Sequence, residues 1–232
     1  MTAPEAKKVL DTIVGQVFGY QNPFTLEQFM QKYAFDIKLP SQVYDSTTSE
    51  PTWASSTNPT KFITRDNARK RGEIDDFMLP KREFKTMQDI LAAWAETNYT
   101  STERYLECIN VHESDTLNSC ENVYRSQDCT RSKNVLFSDG AIDSEYVAAQ
   151  QRSVRTSFGI RVEDSQNITN SFSVVWSNKV TNSLFINDCF DISDSMFCSH
   201  LAGKRFCIAN IQFEEAEYKE IRKMVVHWIL TN

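Results

Sequence analysis

NSLFINDCFDISDSMFCSH, residues 182–200, decides how the chain is read. Ser183, Ile186, Cys189, Ile192, Ser195 and Cys198 recur at every third position without a miss. A helix face returns every 3.6 residues and a strand face every second, so neither sustains this rhythm. Followed outward, the same register runs from Cys108 to Cys207. Every position in it except Gln150 and Lys204 is small or aliphatic. All 6 cysteines of the chain (Cys108, Cys120, Cys129, Cys189, Cys198 and Cys207) fall in it. This is a repeat.

A finer period of six lies inside it. In the later half Ser or Cys occupies 165, 171, 177, 183, 189 and 195, and Ile, Val or Cys occupies 168, 174, 180, 186, 192 and 198. The earlier half alternates in the opposite phase, with Ser at 126, 132, 138 and 144, so the phase slips by three between Gln150 and Gly159. Asn or Asp often precedes a register position, as at Asn122, Asp128, Asn134, Asp164, Asn167, Asn170, Asn182, Asp188, Asp191 and Asp194. These residues tolerate left-handed backbone, which a tight corner requires. The solution is mainly β: a β-solenoid (parallel β-helix) whose narrow bore admits Ser, Cys, Val, Ile and Ala, coil stacked on coil. Multiples of six fit, so 12 and 18 residues per coil both remain open.

Around the repeat the chain divides into four regions. Residues 1–45 read as helical, with a stripe of Val9, Leu10, Ile13, Val14, Val17 and Phe18 and a capping box at Thr25 and Gln28. Residues 46–104 hold a Ser/Thr/Pro-rich strap, DSTTSEPTWASSTNPT from 45 to 60, then a helix over 84–97 with Ile90, Leu91 and Trp94 on one face. Residues 105–210 are the solenoid. Residues 211–232 form an amphipathic helix whose apolar side carries Ala216, Ile221, Met224, Val225, Trp228 and Ile229. A solenoid end exposes unpaired strand edges. The terminal helix is therefore expected as a cap over one end, with the N-terminal helices over the other.

With the repeat and its ending in view, the segment GKRFCIANIQFEEAEY, 203–218, carries a resemblance. Residues 105–220 resemble Ser/Cys triplet-repeat β-solenoid proteins of candidate-phylum bacteria and phages. Those proteins similarly close in a Lys/Arg-aromatic-Cys-Ile-x-Asn motif before a C-terminal helix. The resemblance implies a fold and no activity, and Cys is sparser here, with Ser in its place.

Bulk properties exclude several classes. At 41% hydrophobic and 24% charged, the 232 residues belong to a folded domain and not to a disordered chain. No apolar run approaches the roughly 18 residues that span a bilayer, and the start, MTAPEAKKVLDTIVGQVF, has no secretory signal pattern. Cytoplasmic synthesis is expected, with a virion as the later location. A net charge of −6 without a basic stripe argues against direct nucleic-acid binding. Nine-residue spacings between Cys189, Cys198 and Cys207 do not suit zinc, so these cysteines are expected to fill the bore. His112, His200 and His227 lie in no catalytic signature, and His200 falls outside the inward register.

No catalytic, cofactor-binding or metal residues are therefore expected. An acyltransferase of the left-handed hexapeptide type is the enzymatic rival, since Phe172/Val174, Leu184/Ile186, Phe190/Ile192 and Met196/Cys198 fit its spacing of two. A DNA-mimic inhibitor is a second rival. The favoured expectation is a non-enzymatic structural or interaction protein whose partners are other protein subunits, as in a virus particle. Its candidate interaction surface is Phe137, Phe158, Trp176, Phe185 and Phe197, one step before the inward register. These aromatics either dock the chain's own helices or meet another molecule.

Overall fold

A computed structural model describes residues 1–57 and 61–231. Part of the strap, residues 58–60, lies outside the described residues. The repeat region is a parallel β-solenoid of about nine turns, with helices on both sequence sides of it.

Twelve residues make one coil. Every parallel pair inside the solenoid joins residue i to i+12, for example Thr156 to Ile168, Phe172 to Leu184 and Ile186 to Cys198. From Glu107 to His200 every third residue is left-handed, with φ between 40° and 57° and Gly140 at 82°. The coil therefore turns four times, three residues to a side. The Asn and Asp residues read as corner formers all hold these positions. Side chains after each corner point inward: Ser183 is 0% exposed, Ile186 1% and Cys189 4%.

The alternation of Ser with aliphatic residues has a hydrogen-bonding cause. Two of the four corners interrupt the strands, and the inward residue there is Ser or Cys. Its backbone N–H bonds to the hydroxyl one coil earlier, as in Ser126 N to Ser114 Oγ (3.1 Å), Ser177 N to Ser165 Oγ (3.0 Å) and Ser195 N to Ser183 Oγ (3.1 Å). Each hydroxyl in turn donates to the carbonyl two residues before it, 2.8 Å for Ser183 to Thr181. Ser thus satisfies a buried donor that the strand ladder leaves over. Val and Ile occupy the mid-strand corners, where the bore needs volume alone.

The phase slip involves no inserted residue. Strand Gln151–Glu163 runs unbroken for 13 residues and pairs with two separate strands of the coil before it, Asp139–Ile142 and Glu145–Ala148. The interrupting corners move by one side of the square, and the hydroxyl ladders move with them. The earlier ladders end at Gln150 and Thr156, whose N–H groups bond to Ser138 and Ser144 (both 3.1 Å). A new ladder begins at Ser153, which accepts from Ser165 N at 3.1 Å. The junction coil holds Gln150, Ser153, Thr156 and Gly159 inward. A Cβ at Gly159 would lie 2.3 Å from Thr156 Cγ2, so the Thr156 methyl occupies that space.

One outer side of the solenoid is apolar. Tyr124, Leu136, Ala148, Ile160, Phe172, Leu184 and Met196 recur every 12 residues and are at most 5% exposed. Helices α1 (Ala3–Phe18) and α2 (Leu26–Tyr33) lie against this stripe through Leu10, Ile13, Val14, Val17, Phe18 and Phe29. Thr2 and Thr25 cap them with capping boxes. Helices α3 (Arg65–Asp75) and α4 (Met87–Thr97) belong to the region before the first coil, and α5 (Glu215–Thr231) joins α1 and α2. Its buried residues are Tyr218, Val225, Val226 and Ile229, whereas Met224 and Trp228 are more than half exposed.

The helices are therefore side cover and not end caps, which corrects the expectation from sequence. A helix needs an apolar face to bury against, and the stripe offers one where the strand edges at the ends offer polar backbone. Tyr218 meets Phe206 of the last coil (5.5 Å), and Trp228 lies near Phe185, so α5 runs back along the side. The last edge is closed by the motif itself. Cys207–Ile208 folds back antiparallel on Ile211–Gln212. The Asn210 amide takes the Ser199 N–H (3.0 Å) and donates to the Ser199 carbonyl (2.9 Å), as a further strand would.

At the other end, the strap folds as part of a crown. Strand Pro51–Ala54 pairs with Ser41–Tyr44, and Lys61–Thr64 pairs with Tyr99–Thr102. Buried Asp115 of the first coils accepts from Ser55 N (2.9 Å) and pairs with Arg104 (2.7 Å), which fastens the crown to the solenoid. Asp45, 1% exposed, accepts from Thr47 N and Thr64 N, both at 2.7 Å.

Candidate functional site

Buried side chains fill the bore. Each cysteine sulfur sits against backbone, such as Cys120 on the Asn118 carbonyl (3.3 Å) and Cys198 on Met196 (3.2 Å), and all six are free thiols. Burial pushes the Cys129 thiol well up from its ordinary value and also raises the Cys198 thiol, away from the reactive thiolate. Among the described residues no cluster of three His, Cys, Asp or Glu side chains could hold a metal ion. With 12 residues per coil Cys189 stacks between Ser177 and Leu201, and Cys207 follows Ser195 on another ladder. The hexapeptide spacing is not realised: Phe172, Leu184 and Met196 belong to the helix-covered cluster, Val174, Ile186 and Cys198 to the bore.

The five candidate aromatics lie outside the bore, and there they separate. Phe137 is fully buried against Phe29, with ring centroids 6.2 Å apart. Phe158 stacks on Tyr146 at 4.8 Å and Phe185 on Phe197 at 4.6 Å, and both Phe158 and Phe185 pack against the helix cluster. For these three, cover by the chain's own helices is the outcome. Phe197 remains 44% exposed beside them. Trp176 stands apart. It is 65% exposed and lies on a different corner column, with Arg152, Asp164, Asp188 and His200.

Around Trp176 the column builds a polar rim. The Asp164 carboxyl is held below the usual carboxylate range chiefly by its hydrogen bonds from Arg152 (2.7 Å). One coil on, Asp188 Oδ2 pairs with His200 Nδ1 at 2.8 Å. On the adjoining side Asn178 accepts from Asn167 (2.8 Å), and Phe190, 47% exposed, carries Lys179 Nζ 5.1 Å above its ring. Trp176, Asn178, Asp188, Phe190 and His200 line one open depression of about 470 Å³.

No protein-family model and no curated protein matches this chain. The residues themselves must say what the surface does. Sequence reading placed Trp176 and His200 outside but missed that they share a corner with Asp188. The signal was their spacing of 12 and 24, which becomes meaningful once the coil length is known.

A second feature lies at the crown. Helix α4 buries only Ala93, while Met87, Ile90, Leu91 and Trp94 are 42–65% exposed. Ile74, Met78 and Phe84 before it are also at least half exposed. The apolar face expected of this helix is present, but nothing among the described residues buries it. No helix among the described residues is long and apolar enough to cross a membrane.

Proposed function

We propose that this chain is a non-enzymatic structural and interaction protein, a subunit of a larger assembly in which the solenoid serves as a rigid rod contacting protein or glycan. The observation that carries this is the uncovered ridge of the crown: Ile74, Met78, Phe84, Met87, Ile90, Leu91 and Trp94. An isolated 11-residue helix is marginal in water, and α4 has almost no tertiary burial to hold it. Seven large apolar side chains approach the roughly 800 Å² that one partner contributes to a stable interface. Stiffness comes from the filled bore and the hydroxyl ladders, which keep the outer columns in fixed register. A phage-type virus particle is the concrete assembly, on the strength of the sequence resemblance alone.

Mass measurement of the full chain in solution, by light scattering or sedimentation, tests this. The expected result is an oligomer, or a complex with its partner subunits, that Leu91→Asp dissociates without unfolding the solenoid. A monomer at tens of micromolar that also joins no assembly in its native host overturns it.

A further inference from the structure

Corners of this solenoid demand left-handed backbone, and the column of Trp176 mostly answers with residues suited to it: Asp128, Gly140, Asp164 and Asp188. A bulky side chain there costs roughly 1–2 kcal/mol. At Phe137, Phe158 and Phe185 burial against the helices offsets that cost. Trp176, at φ 48°, takes the strain and remains 65% exposed. No helix cluster covers it to offset that cost. A strained residue without structural return points to a site.

We propose that the depression lined by Trp176, Asn178, Asp188, Phe190 and His200 binds a neutral carbohydrate, with one pyranose ring stacked on the Trp176 indole. This deepens the contact-rod reading above and rests on it. A pyranose has one face of C–H groups and an equatorial rim of hydroxyls, so its receptor needs a flat aromatic beside planar hydrogen-bonding groups. The site supplies both. Trp176 presents an exposed indole, and Phe190 extends the apolar wall. Asp188, whose side chain is 60% exposed and paired to His200 through one oxygen, is placed to accept hydroxyl protons. Asn178 supplies an amide whose orientation is fixed by Asn167. Asp188 is the carboxylate in the lining and disfavours an acidic sugar beside Trp176, while the Lys179 ammonium is engaged over the Phe190 ring. At about 470 Å³ the depression suits a small ligand of two or three rings. A protein partner would need a far larger surface than this.

The test is a titration of the full chain with cellotriose, maltotriose, laminaritriose, lactose and chitotriose, read by calorimetry and by saturation-transfer NMR. At least one should bind with Kd in the micromolar to low millimolar range. Trp176→Asn, which suits a left-handed corner, should weaken that binding at least tenfold while leaving the melting temperature unchanged or higher. Asp188→Ala should weaken it as well. Absence of binding across the panel overturns the proposal, as does a Trp176→Asn variant that binds normally or melts much earlier. An intact oligomer that binds no sugar sinks this inference alone. A monomer that joins no assembly in its native host yet binds sugar sinks the assembly reading and keeps the site.

Discussion

Replacing Ser183 by Ala tests the physical reason for the Ser periodicity. Ser183 Oγ accepts from Ser195 N at 3.1 Å and donates to the Thr181 carbonyl at 2.8 Å. The Thr181 carbonyl keeps a second partner, Asp194 N at 3.0 Å, so the substitution does not strand it. The Ser195 N–H has no such reserve. Alanine leaves one buried amide donor unmet, and that penalty is about 1–3 kcal/mol, or roughly 5- to 150-fold in the unfolding equilibrium. Ser183→Cys should cost less, since Cys189 already fills the same role and takes Leu201 N at 3.5 Å. Ser193→Ala, on the outer surface, serves as a control within about 0.5 kcal/mol of the parent. Urea denaturation with fitted midpoints and slopes gives the three values. If Ser183→Ala matches the control, or Ser183→Cys proves the more damaging, the hydroxyl ladder is not what selects Ser.

Gly159→Ala should destabilise by about 1–3 kcal/mol through overpacking against the Thr156 methyl, and Thr156→Ser in the same chain should recover part of it. A double-mutant cycle measures the coupling, expected to exceed about 0.5 kcal/mol. Burial would raise the Asp45 carboxyl, but hydrogen bonds from Thr47, Thr64 and Asn67 outweigh it and hold the group far below the usual range. Its contribution is complete above the unfolded value of about 3.9 and is lost as pH falls through the folded one. Hydrogen-exchange protection of the crown, corrected for the intrinsic rate at each pH, should therefore fall below about pH 4, while Asp45→Asn should lower it at neutral pH and flatten that acid limb. A thiol reagent should modify Cys108 alone in the native chain, since the other five cysteines are buried; fast reaction of two or more would contradict the packed bore.

Much of the solenoid was legible because its constraint is local. A bore one side chain wide accepts few residue types, so each inward position declares itself, and the Asn or Asp before it declares the corner. Coil length was hidden for an arithmetic reason: hydroxyl and aliphatic corners alternate every six residues, which 12 and 18 both satisfy. What separates them is the outer column of Tyr124, Leu136, Ala148, Ile160, Phe172, Leu184 and Met196, which repeats only at 12. That column also fixes where the helices go. An amphipathic helix states that it needs cover and not from what, so α1, α2 and α5 could be foreseen as helices but not placed. Helix α4 shows the same ambiguity from the other side, since its stripe looks like any buried one and the chain leaves it bare.

The same logic bears on where function sits. On a square coil a corner residue belongs to one of four columns, and only the coil length says which residues are neighbours. Read at 18, Trp176 would stand beside Asp194; at 12 it stands between Asp164 and Asp188, with His200 next in line. Nothing in the chemistry of Trp176 alone separates it from Phe137. The difference is that the Phe137 column faces α2 and the Trp176 column faces water, so equal corner strain is relieved in one place and retained in the other. Candidate contacts on such a rod are therefore best sought as aromatic corner residues on columns that no helix covers. In this chain Trp176 meets that condition, with Phe190 on the neighbouring side.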